Sequence, residues 1–292
     1  WHDMQYRQAM VWQMCGYNQP PHVSYFLGEL EGITQAPPAL TMTGRTEIAN
    51  GGTVSASDDV LITCETNDME VTVSDGATPY IYIDNAPSWV QGTNSSSTTN
   101  PDIRYQYYTH TLKGGAFAGA TRVVKQGEGR LVLPTVTQKY TGATDVWNGT
   151  LQFDGILESS PLWLNRHTKL VSDGGKFLGG ITADYNATIY PGGDGKVGTI
   201  ATTTLKLGFG SRVVFDMEGT NADQLNATEL IIEKKVWPNG GGPTYDTPVF
   251  QIKGSLAAGV YTLGTVDNID GEIGRASCRE SVDLGGRRII KK

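Results

Sequence analysis

The sequence predicts an all-β chain, and three observations carry that prediction. Short runs rich in Val, Ile, Thr and Leu recur between turns built on Gly and Asn. Glycine is abundant, at 37 of 292 residues, while charged residues make up only 18%; this balance disfavours coiled coils and long solvated helices. Helical spacing shows only near the N-terminus. Hydrophobic residues at 38%, with 13 Tyr and 6 Trp, are too many for a disordered chain. The formal net charge of −7 makes phosphate backbones poor partners, so nucleic acid is excluded as one. No apolar run approaches the roughly 18 residues that a membrane-spanning helix requires.

The elements follow in order. Asp3 can cap a helix in which Tyr6, Ala9, Met10 and Gln13 share a face, Gly16 can end it, and Pro20 and Pro21 forbid its continuation. One short helix over 4–15 is expected, then an extended stretch over 22–27; a strand through 7–12 is the alternative, since a run this short is ambiguous. Residues 31–38, ending in Pro37-Pro38, read as a linker. A β-rich module is expected over 39–119, with strands at 53–56, 60–64, 70–74, 80–83 and 104–110 separated by Asn50-Gly51-Gly52, Asp75-Gly76 and a polar loop over 91–101. Residues 120–271 repeat weakly, and 272–292 change character abruptly.

Within the first segment, the string Trp12-Gln13-Met14-Cys15-Gly16-Tyr17-Asn18-Gln19-Pro20-Pro21-His22-Val23-Ser24-Tyr25-Phe26-Leu27-Gly28, preceded by His2-Asp3 and Tyr6-Arg7, resembles the C-terminal end of rhamnogalacturonan lyases of polysaccharide lyase family eleven. The resemblance covers residues 1–30. It implies the closing edge of an eight-bladed β-propeller, in a calcium-dependent enzyme that cleaves the rhamnose–galacturonate backbone of pectin by β-elimination. That chemistry needs a base for the proton beside the uronate carboxyl and cations for the developing anion; calcium, with its oxygen ligands, suits the second task. The family's basic and calcium-binding residues lie mostly upstream of this string. On the resemblance, no catalytic or metal-binding residue falls in this chain, and the piece by itself is expected to be inactive. Tyr17 matches a tyrosine lining the sugar cleft. Asn18 and His22 are candidate substrate contacts or members of a buried hydrogen-bonded turn. Met14 stands where the family usually has Asn.

The third segment carries Gly129-Arg130-Leu131-Val132-Leu133, Tyr140-Thr141-Gly142 and Asn148-Gly149-Thr150-Leu151. These pieces resemble the autotransporter-associated β-strand repeat, and Tyr190-Pro191-Gly192-Gly193 resembles the stretch that often closes such arrays. A strand of alternating Leu followed by a Gly turn cannot bury its apolar face alone. Stacking successive coils does so, which predicts a parallel β-helix with Leu, Val, Ile and Phe inward; a β-sandwich is the alternative.

The remaining candidates are weaker. Trp89, Tyr105, Tyr107, Tyr108, Trp147, Trp163 and Trp237 are aromatic residues able to stack on sugar rings, or to pack across strands. Asn165-Arg166-His167 reads as a uronate-binding cluster or as a strand-end turn. Asp58, Asp59, Asp184, Asp267 and Asp270 are scattered and do not make a calcium cage. Gly192-Gly193-Asp194-Gly195-Lys196 lacks the ending of a phosphate-binding loop. Cys15 and Cys64 have no metal-ligand spacing and read as two small buried thiols, with a disulfide between them as the alternative. The tail 272–292, which holds Cys278, resembles a translated sequencing adapter and is expected to be non-native and disordered.

Two function classes result. One is the C-terminal piece of a secreted pectin-degrading lyase, extracellular or at the cell surface, monomeric, with rhamnogalacturonan as partner and calcium as the parent enzyme's cofactor. The other is a non-catalytic autotransporter-like surface stalk or carbohydrate-binding module.

Overall fold

The computed structural model describes residues 45–55, 59–63, 67–85, 88–91, 103–193, 195–233, 248–256 and 261–270. All regular structure among them is β. The predicted helix over 4–15, the propeller edge, the linker over 31–38 and the tail over 272–292 lie outside the described residues.

Two sheets carry the fold, one of 13 strands and one of 10. The chain alternates between them as it advances. Arg122–Gln126 lies in the first sheet, Arg130–Val132 in the second, Thr144–Val146 in the first again and Thr150–Gln152 in the second. Each strand pairs in parallel with the strand one coil away. This winding is a parallel β-helix. It excludes the β-sandwich, whose sheets are antiparallel. Both sheets are continuous across residue 120: Tyr80–Asp84 pairs with Arg122–Gln126, and Thr109–Gly114 with Arg130–Val132.

Side chains alternate faces along a strand, so in-register parallel pairing lines residues up in files along the axis. The inward file of the second sheet runs Met69, His110, Leu131, Leu151, Leu170, Ile189, Val213. In the first sheet it runs Val60, Ile81, Val123, Thr144, Leu162, Ile181, Leu205, Leu230. Every one of these side chains is buried. Each large aliphatic member contributes about 1.5–3 kcal/mol through lost contact with water. The Gly-x-Leu-x-Leu pattern has its physical reason here: Leu131 and Leu133 point inward, and Arg130 and Val132 point away.

A third, shorter ladder joins Thr137–Gln138, Ile156–Leu157 and Lys176–Phe177. It merges with the first sheet at the long strand Thr199–Leu207, whose first half pairs with Lys176–Phe177 and whose second half pairs with Ile181–Ala183. Edge-to-face pairs Phe117–Tyr140 and Phe153–Phe177, with centroids 6.1 and 5.9 Å apart, fill space between the ladders.

The aromatic run predicted as one strand over 104–110 is divided. Ile103–Gln106 pairs antiparallel with Ser88–Gln91 in a two-stranded sheet of its own, whereas Thr109–Gly114 enters the second large sheet. The Tyr108 carbonyl between them accepts hydrogen bonds from Arg130 N (2.9 Å) and Asn85 Nδ2 (3.3 Å). These bonds anchor the point where the hairpin leaves and rejoins the coil.

Candidate functional site

Tyr17, Asn18 and His22 lie outside the described residues, as do Trp237 and Asp58. Of the aromatic residues able either to stack on sugar rings or to pack across strands, Tyr107, Trp147 and Trp163 are exposed, the two tryptophans by half. Tyr108 is buried and is removed from that set; its place beside the anchoring turn draws it inward. Trp163 is the register partner of Asp145, and Trp147 stands two residues further along the Asp145 strand on the same outer face. The two indoles are therefore diagonal neighbours. Beneath them Arg122 donates from Nε to Asp145 Oδ2 at 2.8 Å. That bond stabilises the guanidinium's charged form and places a fixed ion pair at the edge of the aromatic patch.

Asn165-Arg166-His167 forms a strand-end turn. His167, Asn186 and Gly210 hold equivalent places in three successive turns, at φ of 61°, 56° and 63°. Asn and His are among the few side chains that accept this region readily. The Arg166 guanidinium sits 5.9 Å from the centre of the Tyr185 ring, and the His167 imidazole meets the same ring edge-on at 5.9 Å. Arg166 and His167 thus come together on the exposed Tyr185 of the next coil, through a cation–π contact and an edge-to-face contact.

Two polar clusters are buried. Lys125 occupies the inward file between Ile83 and Val146 and is wholly buried. Its ammonium donates to Asn85 Oδ1 (2.7 Å) and to the carbonyls of Gln126 (2.8 Å), Gly127 (2.6 Å) and Asn148 (3.1 Å). Burial pushes this amine down to about 7, against the pull of Asp84 and Glu128. In the second cluster the buried Asp223 carboxylate accepts from Gly198 N and Asp216 N, each at 2.7 Å, while Asp216 accepts from Gly195 N at 2.7 Å. Burial pushes Asp223 up to about 6; its two backbone donors oppose the shift, and the charges of Asp216 and Asp173 reinforce it. In this Gly-rich stretch the Gly195 and Gly198 amides thus serve carboxylates, while those of Gly192 and Lys196 donate to the Ser172 and Gly193 carbonyls.

Calcium takes six to eight oxygens. Among the described residues no three His, Cys, Asp or Glu side chains group as metal ligands. Asp184 instead accepts from the amide of Tyr185 at 2.7 Å, in its own turn.

The comparisons with known proteins fall on the two segments that the sequence singles out. Residues 1–38 match the family model of the rhamnogalacturonan lyase family 11 C-terminal domain. Residues 123–153 match the passenger-associated-transport repeat. No curated protein and no solved structure matches the chain.

The repeat match spans the coil beginning at Val123 and half of the next, and its signature residues have structural reasons. Tyr140 is buried, with its hydroxyl 2.6 Å from Thr144 Oγ1, which lies 2.9 Å from Ser160 Oγ. A Cβ on Gly142 would come within 2.2 Å of the Thr121 carbonyl, and one on Gly129 within 2.3 Å of the Tyr108 carbonyl. These glycines let successive coils close on each other.

Two features are not marked by the local sequence. A lysine amid Val-Val-Lys-Gln gives no sign of facing inward. Arg130, Lys169 and Arg212 each stand immediately before an inward apolar residue (Leu131, Leu170, Val213), a recurrence that places them on the outer face, whereas their alignment in one file is set by register.

Proposed function

We propose that the chain serves the cleavage of rhamnogalacturonan by β-elimination, outside the cell or at its surface. In this reading residues 1–38 complete the catalytic domain of a calcium-dependent lyase, and the β-helix is a monomeric, non-catalytic extension of it. The family match over 1–38, on the string Trp12–Gly28, is the observation that carries the reading. Tyr17 would present a flat aromatic face and a hydroxyl to a sugar ring, while Asn18 and His22 would contribute hydrogen bonds to it. Calcium would stabilise the carboxylate-linked anion formed when the proton beside it is removed. In this reading the ion belongs to the catalytic domain.

The test is product release by the whole protein that carries this chain. Incubation with rhamnogalacturonan should yield oligosaccharides with a new C=C bond, read by ultraviolet absorbance, and a calcium chelator should abolish it. Tyr17→Ala should lower kcat/KM by roughly tenfold, the scale of one lost sugar contact. No unsaturated product from the intact protein at any calcium concentration would sink the reading.

The passenger-associated-transport repeat favours a second reading, a surface stalk without lyase activity. The unbroken parallel ladders suit it, because a solenoid's stability is set mostly between neighbouring coils and its length extends without a larger core. An intact protein displayed on the cell surface that leaves rhamnogalacturonan uncut would establish this alternative.

A further inference from the structure

The outer face of the second sheet carries a file that neither family match assigns. Its members, in register along the axis, are Arg130, Thr150, Lys169, Thr188 and Arg212. Cation and hydroxyl alternate from coil to coil. The three cations are exposed and the two threonines half-exposed, while the residue following each of the five is buried. Strands in a sheet lie about 4.8 Å apart, so successive cations stand about 10 Å apart and the file spans about 19 Å. Arg130 is steadied by donating from Nη1 to Gln152 Oε1 of the next coil, at 3.0 Å. Among the described residues no carboxylate pairs with Lys169 or Arg212. Along the same strands the next outward file adds Gln152 and Tyr190, with Lys253 Nζ 5.6 Å from the centre of the Tyr190 ring. At the end of the file below Arg130, its register partner Thr109 donates its amide to Asp68 at 2.8 Å, and further acids flank the file. Glu128 accepts from Asn148 Nδ2, and Asp154 and Asp173 lie four residues along the strands from the cation file.

We infer that this file is a binding track for an extended polysaccharide with a carboxylate on every second sugar, laid along the solenoid axis. Charge spacing selects the partner. Duplex nucleic acid carries one charge per roughly 1.7 Å of axis, far denser than one cation per two coils. Two pyranose units of an extended chain span about the distance between successive cations. An alternating uronate–neutral polymer therefore sets each carboxylate against Arg or Lys and each intervening sugar against a threonine hydroxyl. Arg130 and Arg212 can take a carboxylate with two parallel N–H donors, and Lys169 takes it as a point charge. Exposed charge pairs are weak one at a time, so affinity should be roughly millimolar for short oligosaccharides and tighten with chain length as contacts add.

The inference rests on the proposed function for its polymer but not for its test, which reads binding rather than cleavage. The full chain is run through native gels containing rhamnogalacturonan backbone, neutral galactan or duplex DNA. The expected result is retardation by rhamnogalacturonan alone, fading as salt rises from 50 to about 500 mM. The triple variant R130Q/K169Q/R212Q should bind at least tenfold more weakly, and R130K/R212K should keep most of the retention. W147A/W163A, on the other sheet, should bind as the parent does. All three variants change only exposed side chains, and a melting curve close to the parent's confirms that each is folded. Equal retardation of the triple variant and the parent, retardation by DNA as strong as by rhamnogalacturonan, or none by any polymer would each overturn the track. Binding by this chain together with no unsaturated product from the whole protein would keep the track and reject the lyase reading. Product release by the whole protein with no binding by this chain would do the reverse.

Discussion

The Lys125 ammonium lies 2.7 Å from Oδ1 of Asn85, and both side chains are wholly buried. Asn85 in turn donates from Nδ2 to the carbonyls of Tyr108 and Arg130, at 3.3 and 2.9 Å. The pair thus ties together backbone from adjacent coils where the hairpin departs. Lys125→Met fills similar space but leaves Asn85 Oδ1 and the Gly127 carbonyl without this donor. Each unsatisfied buried group costs about 1–3 kcal/mol, so a loss of roughly 2–6 kcal/mol is expected by urea denaturation. The parent should also gain stability as pH rises from about 7 toward 10.5, because there the unfolded lysine holds a proton that the folded one has released. Lys125→Met should lack that gain.

Asp223 gives a pH dependence of its own. Its folded value of about 6 exceeds the ordinary 3.8. Between these values the folded chain binds a proton that the unfolded chain has given up. The contribution is full below pH 3.8 and is lost as pH rises through 6. Denaturation midpoints taken from pH 4 to 7 should show this decline in the parent and a flatter profile in Asp223→Asn. Identical profiles would remove the assignment.

Tyr140 should ionise late. Burial pushes its phenol up to about 12, despite hydrogen bonds with Thr144 and Ser160 that favour the anion. An ultraviolet titration of Tyr140→Phe should match the parent through pH 11 and lose amplitude only above it. The lost hydroxyl contact should lower stability by about 1 kcal/mol.

Gly142→Ala tests the closeness of the coils. The new methyl would stand 2.2 Å from the Thr121 carbonyl, which is backbone and cannot rotate aside. A loss of roughly 1–3 kcal/mol is expected, the usual cost of overpacking. A melting temperature equal to the parent's would show that the coils separate without penalty.

Leu151 and Trp163 should respond in opposite measure to size. Leu151, at 0% exposure between Leu131 and Leu170, should lose about 2–5 kcal/mol as Leu151→Ala. Trp163, larger but half-exposed, should lose less than about 1 kcal/mol as Trp163→Ala. The same thermal melts decide both.

Much of the solenoid was readable because its demands are local. Leu131 and Leu133 alternate with Arg130 and Val132, and Gly149 supplies the turn before Leu151, so period and punctuation agree. The strand-end turn at Asn165–His167 was readable for the same reason. Tyr108 was not. It belongs to an aromatic run that reads as one strand, and its burial follows from a hairpin whose return point is anchored by Asn85 and Arg130. Lys125 was hidden too, since nothing in a short β run announces that a lysine replaces an apolar member of an inward file.

Composition, the two-residue alternation and the glycine turns were enough to predict the stacked β coils that the described residues form, and a short string near the start was enough to point to the family model that residues 1–38 match. Which side chains meet along the axis was beyond their reach. That depends on how many residues each coil uses: Thr144 is followed in its file by Leu162, but Ile181 by Leu205. These lengths are settled by hydrogen bonding between strands far apart in sequence, and a slip of one residue would turn every side chain of a strand to the opposite face. The burial of Lys125 and the alignment of Arg130, Lys169 and Arg212 are products of that register.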